Sequence, residues 1–110
     1  MVSILDKIIE EKKNTLVNLK KKYSYSSIID KIKENKSNLD FIEKIKKNNK
    51  LNKISIIAEI KKASPSAGLI IKQYNPVSFA EKYFLNGATC LSILTEEKFF
   101  LGDLQHIADV

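Results

Sequence analysis

Positions 54–68, reading I-S-I-I-A-E-I-K-K-A-S-P-S-A-G, constrain the fold of this chain more than any other stretch. They begin as an apolar, β-branched run of strand length: Ile54, Ile56, Ile57, Ala58 and Ile60. A run of that kind predicts a strand buried on both faces, as in a parallel sheet. Glu59 and Lys61 stand two residues apart at its end, and the period of two along a strand sends both to one face. A carboxylate and an ammonium at the end of a buried strand are costly unless they pair or serve a site. The following Ser64-Pro65-Ser66-Ala67-Gly68 is a loop of small residues with turn punctuation. Charged groups delivered to a loop at the carboxyl end of a strand sit where α/β folds keep their chemistry.

The rhythm of elements continues downstream. Asn75-Pro76 is a strong helix start, with proline in the first turn behind an Asn cap. The spacing predicts a helix over about residues 76–86, with Val77, Ala80, Tyr83 and Phe84 inward and Asn86-Gly87 as its stop. An apolar run without strict alternation predicts a second strand over about 89–94. In the loop that follows, Glu96, Glu97 and Lys98 read as solvated charges, and Phe99 and Phe100 by themselves read as core. Asp103 is placed to cap a helix from about 103, carrying Leu104, Ile107 and Val110. His106, the single histidine, falls in that helix and reads as structural or exposed, not as a base. Strand, helix, strand, helix in this order is a βαβα unit with a right-handed crossover. Two parallel strands cannot close a barrel, and the last helical pattern breaks off at Val110, as in a piece of a larger protein.

Upstream, residues 1–50 read as a helical extension and 51–110 as the start of the α/β part, its first strand over about 53–60. Ser3 is a fair N-cap for a helix over about residues 3–22, with Ile4, Leu5, Ile8, Ile9, Leu16 and Leu19 at helical spacing. Its early Glu10 and Glu11 and late Lys20, Lys21 and Lys22 suit the helix dipole. A short second helix follows Ser26-Ser27 and carries Ile28, Ile29 and Ile32. Asn38 is expected to cap a third, with Leu39, Phe41, Ile42 and Ile45. Residues 48–53 are polar, ending the helical region and linking it to the first strand.

Charge narrows the function class. The formal net charge of +6 lies wholly in residues 1–50, where thirteen Lys face seven Asp and Glu; residues 51–110 are balanced. There is no arginine, the residue best suited to bidentate phosphate and base readout. A solvated lysine-rich helical surface explains the excess better than nucleic-acid binding. No stretch approaches the roughly 18 apolar residues of a membrane span, and Asp6, Lys7, Glu10 and Glu11 interrupt any secretory h-region. The single cysteine, Cys90, lies in an apolar run, reads as a small core residue, and rules out an internal disulfide framework. A cytoplasmic protein without nucleic-acid or membrane partners is expected.

Two long motifs then stand in order. Ile57-Ala58-Glu59-Ile60-Lys61-Lys62-Ala63-Ser64-Pro65-Ser66 closely resembles the first-strand signature of the indole-3-glycerol phosphate synthase family. Leu91-Ser92-Ile93-Leu94-Thr95-Glu96-Glu97-Lys98-Phe99-Phe100-Leu101-Gly102 resembles its second strand and following loop. The helical extension opening at Ile4-Leu5-Asp6-Lys7-Ile8-Ile9 is also similar. The resemblance implies a TIM (β/α)8 barrel, of which this chain would hold the first two βα units behind a helical extension. It implies a carboxy-lyase of tryptophan biosynthesis that closes the ring of a carboxyphenylamino-deoxyribulose 5-phosphate with loss of carbon dioxide and water. No metal or organic cofactor is implied. Matched motif by motif, Glu59 and Lys61 correspond to the catalytic pair of the first strand, Ser64 to a substrate-contacting serine, and Phe100 to an aromatic lining the anthranilate pocket.

A complete barrel of this type needs about 250 residues, and the family's further catalytic lysine and phosphate loops belong to later strands. The expectation is therefore an N-terminal portion, inactive by itself, whose exposed strand edge is open to association if the chain exists alone. Two other readings stay open. One is a bifunctional parent with a fused phosphoribosylanthranilate isomerase. The other is a non-catalytic helical and βα module that binds a partner.

Overall fold

The computed structural model describes residues 1–37 and 39–110. The chain divides into two compact units, Met1–Leu39 and Asp40–Val110. No helix among the described residues is long and apolar enough to cross a membrane.

The first unit is built from α1 (Ile4–Lys22) and α2 (Tyr25–Glu34). Ser3 caps α1 as expected and adds a capping box: its Oγ accepts from the Asp6 N–H at 3.1 Å, while Asp6 Oδ2 accepts from the Ser3 N–H at 3.0 Å. The Ser3 hydroxyl, with the Ser3 backbone second, holds the Asp6 carboxyl below its ordinary value. Helix α2 starts earlier than Ser26-Ser27 suggested. Ser24 is the residue with extended backbone whose Oγ accepts from the Ser27 N–H, so the serines after it are already helical.

The second unit opens with α3 (Phe41–Lys50). Asn38, expected as its cap, lies outside the described residues; the cap is Asp40, whose Oδ1 accepts from the Glu43 N–H at 2.9 Å. The helix runs on through Asn48, Asn49 and Lys50, so half of the expected polar linker is helical. It ends in a Schellman motif, with Asn52 N–H donating to Asn49 O and Lys53 N–H to Asn48 O, and Asn52 at φ 51°. The Asn48 side chain ties α3 to the segments that lead into both strands of the main sheet: its Nδ2 donates to Ser55 Oγ and to Thr89 Oγ1, each at 3.2 Å.

That sheet pairs β1 (Ile57–Ile60) with β4 (Cys90–Ile93) in parallel, Glu59 opposite Ser92 and Ile60 opposite Ile93. Hydrogen bonds extend the pairing by a residue at each end, from Thr89 and Cys90 N–H to Ile56 O and from Leu94 N–H to Ile60 O. The crossover between the strands is α4 (Pro76–Leu85), capped by Asn75 with Pro76 in its first turn. It closes in a second Schellman motif, where Gly87 at φ 88° takes the left-handed position that a side chain disfavours.

Burial corrects one expectation about the first strand. Ala58 and Ile60 are buried, whereas Ile57 is 52% exposed and Glu59 is exposed too. Helix α4 packs on β1 and covers the first pair; among the described residues nothing covers the second, so the strand is buried on one face, not two. Ala63 and Ala80 complete the small buried apolar set, and Cys90 is half-buried where core burial was expected. Phe84, expected inward, is 76% exposed, because α4 rests on β1 and on the last helix, α5 (Gln105–Asp109), through its other residues and Phe84 lies off that contact.

Two elements differ from the expected pattern. The small-residue loop after β1 is a tight antiparallel hairpin of β2 (Ala63–Ser64) and β3 (Gly68–Leu69). The last helix, α5, is a short Gln105–Asp109 turn with Leu104, not Asp103, at its N-cap position. Asp103 still acts at its entrance, its Oδ1 accepting from the Gln105 N–H at 2.8 Å. His106 stands edge-on to Tyr74 with ring centroids 5.6 Å apart, a structural placement.

Candidate active site

The site is built at the carboxyl edge of β1 and β4. Because the strands run parallel and stay in register to Ile60 and Leu94, the chain leaves both at the same edge. Residues 61–70 and 95–102 are therefore neighbouring loops of one rim.

Glu59 occupies the uncovered face of β1, and Lys61 follows two residues on, as strand alternation requires. Lys61 Nζ lies 2.8 Å from Glu59 Oε1, with the two side chains 31% and 48% exposed. An ion pair so open to water contributes at most about 1 kcal/mol to stability. The fold does not depend on it. The backbone beneath is held firmly: Tyr83 of α4 donates its hydroxyl to Glu59 O at 3.0 Å, fixing the helix to the residue that carries the carboxylate.

Ser64 sits in the adjoining hairpin. Lys62 O accepts from the Ile70 and Ile71 N–H groups and closes the hairpin base. Ser64 Oγ accepts from the Ala67 N–H at 3.1 Å and lies 3.4 Å from Ser66 Oγ. Its hydroxyl thus braces the turn, and the hydroxyl hydrogen can still point outward.

Phe100 is half-buried in the second loop. That loop is organised by Glu96, which the sequence presented as a solvated charge. Its Oε1 accepts from the Lys98 N–H at 2.9 Å, and its Oε2 from the Phe99 and Phe100 N–H groups at 2.7 and 3.1 Å. Its own carbonyl accepts from the Gly102 N–H at 2.8 Å. No periodicity marks such a residue, since the donors are backbone groups; Gly102 at the end of the loop was the available hint. Tyr83 was likewise read only as an inward apolar position.

A cleft of about 210 Å3 borders the pair, lined by Glu59, Ile60, Lys61, Ile70, Ile71, Phe79 and Tyr83. Part of its wall, Ile60, Phe79 and Tyr83, comes from β1 and the helix packed on it. Ser64 and Phe100 do not line it. The expected residues thus meet at one rim, with Glu59 and Lys61 in direct contact and Ser64 and Phe100 on the flanking loops. Among the described residues no group of three or more His, Cys, Asp or Glu could hold a metal ion.

Comparison with known proteins gives the rim its context. A family model described as indole-3-glycerol phosphate synthase matches residues 5–110. A protein of that name from Clostridium acetobutylicum is 47% identical over 107 residues, covering 94% of this chain and 38% of the relative. Those from Alkaliphilus metalliredigens and Aliarcobacter butzleri are 40% and 39% identical, each over 107 residues and 97% of this chain. The chain spans about 40% of the length of the Alkaliphilus relative and 41% of the Aliarcobacter one. With nearly every residue inside the family match and the motif residues gathered at one edge, the chain belongs to the indole-3-glycerol phosphate synthase family.

Proposed function

We propose that these residues serve an indole-3-glycerol phosphate synthase, and that β1, α4, β4 and α5 are the first two βα units of a (β/α)8 barrel. The observation that carries this reading is the 2.8 Å contact of Lys61 with Glu59 at the carboxyl edge of the first parallel strand. The substrate is a carboxyphenylamino-deoxyribulose 5-phosphate. Its ring carbon attacks the ketone, the ring carboxylate leaves as carbon dioxide, and a hydroxyl leaves as water.

Each step asks for a group this rim presents. The Lys61 ammonium neutralises the substrate carboxylate and donates a proton to the ketone oxygen as the carbon–carbon bond forms. The Glu59 carboxylate holds that ammonium in place and accepts from substrate hydroxyls. Ser64 contacts substrate from the hairpin, and Phe100 supplies an apolar wall for the anthranilate ring. The two parallel strands form only part of the rim that such a substrate needs, so the 110 residues assayed by themselves are expected to show no turnover.

The test is synthase assay of the protein expressed from its complete reading frame, beside the Lys61→Ala variant and the 110-residue chain. Product from the wild type and none from Lys61→Ala supports the reading. A wild type that makes no product, or a Lys61→Ala variant as active as wild type, overturns it. For the isolated chain, the exposed Ile54, Ile57, Phe84 and Leu85 favour self-association, which sedimentation at several concentrations would detect.

A further inference from the structure

We infer that Glu96 is a positioning residue for substrate binding, acting through Phe100 by holding the loop after β4 in one conformation. The inference rests on the synthase reading above.

The loop lacks a regular ladder of its own between Ile93 and Leu104, and short irregular segments hold one shape only where something outweighs their conformational entropy. Here one carboxylate does so. Its two oxygens collect the N–H groups of three consecutive residues, the last being that of Phe100 itself. Successive backbone N–H groups turned to one point form an anion cradle, and hydrogen bonds to a charged acceptor are the strong ones.

Two further constraints close the same loop. The Gly102 N–H returns to Glu96 O, so side chain and main chain of one residue grip both ends. Gly102 lies so close to Leu94 that a Cβ there would overlap the Leu94 carbonyl. Leu101 adopts φ 52°, a left-handed conformation that a branched apolar residue takes only when its surroundings impose it. The backbone of Phe100 is thereby bracketed from 96 to 102, with the Glu96 carboxylate as a side-chain clamp on the N–H groups of residues 98–100.

An aromatic wall is useful only where its ring is placed before substrate arrives, since ordering it afterwards weakens binding. Losing the clamp should therefore weaken substrate binding more than it slows chemistry, and only while Phe100 is present to be placed.

The experiment is a double-mutant cycle in the enzyme expressed from its complete reading frame, using Glu96→Gln, Phe100→Ala and the pair. Glu96→Gln is expected to raise KM about tenfold, the scale of one lost aromatic contact, with kcat within about twofold. In the Phe100→Ala background the same change should have no further effect on KM. Equal KM effects in the two backgrounds, or a loss confined to kcat, overturn the inference and leave the synthase reading standing. An inactive wild type overturns both. Should Glu96→Gln not fold, Glu96→Asp, which keeps the charge and falls short by one methylene, goes through the same cycle with the same criteria.

Discussion

Lys61 and Glu59 form a contact of 2.8 Å that straddles the end of β1, with both side chains part-open to solvent. Its energetic weight and its chemical weight should separate on substitution. Lys61→Met and Glu59→Gln are expected to leave stability within about 1 kcal/mol of wild type, as for other exposed pairs. Activity of the protein from its complete reading frame should fall about 10²–10⁴-fold for Lys61→Met, the range for a lost general acid. Lys61→Arg should not restore it, because a guanidinium does not give up a proton in this range. Melting curves beside initial rates check both halves, and a large loss of stability would return the pair to a structural role.

Thr89 is a junction that no charge or apolar pattern reveals. Its Oγ1 accepts from the Ile56 N–H at 3.0 Å and from Asn48 Nδ2 at 3.2 Å, tying α3 to the segments that lead into both strands. Thr89→Val keeps the shape and removes the acceptor, so two donors lose a partner. A loss of about 1–3 kcal/mol is expected, read by denaturant titration, whereas Thr89→Ser should stay near wild type.

Among the three glycines, Gly102 is the one where an added Cβ meets neighbouring atoms. Any Cβ there meets the carbonyl of Leu94 and the Cα of Thr95, which are backbone and cannot swing aside. Gly102→Ala is expected to lose more than about 2 kcal/mol or to shift the loop, in line with overpacking in other proteins. Amide shifts of residues 96–102 against a heteronuclear NMR spectrum of the wild type distinguish the two, and an unchanged spectrum and stability would refute it.

Tyr74 is expected to give the chain an alkaline sensitivity. Burial raises its hydroxyl above the usual phenol value, and that oxygen has no hydrogen-bond partner among the described residues. With the folded value above the unfolded one, the folded state keeps its proton longer. Stability from this group is therefore complete below the unfolded value near 10 and is lost as pH climbs through the folded one. Tyr74→Phe removes an unpaired buried hydroxyl and should be neutral or stabilising by about 1 kcal/mol at pH 7, with less loss between pH 9 and 11. Unfolding measured across about that range checks the sign.

Much of this protein was legible in its residues because local rules act over a few positions. Ser3, the Asn75-Pro76 start and the Asn86-Gly87 stop work through backbone groups within one turn, so the start of α1 and both ends of α4 follow from them. The pairing of Glu59 with Lys61 follows from strand alternation alone. The tertiary structure decided what depends on partners distant in the chain or on backbone donors that no side-chain pattern records. Which face of β1 is covered depends on α4, so Ile57 lies open beside buried Ala58. The role of Glu96 depends on a loop that folds back to offer three N–H groups, and Phe84 is exposed because its helix meets β1 elsewhere. Sequence determined the main helices, the two parallel strands and the rim they share, since capping, alternation and parallel crossover are local or topological rules. Only the tertiary structure assigned the charges their work, because a carboxylate's energy is set by what surrounds it in space.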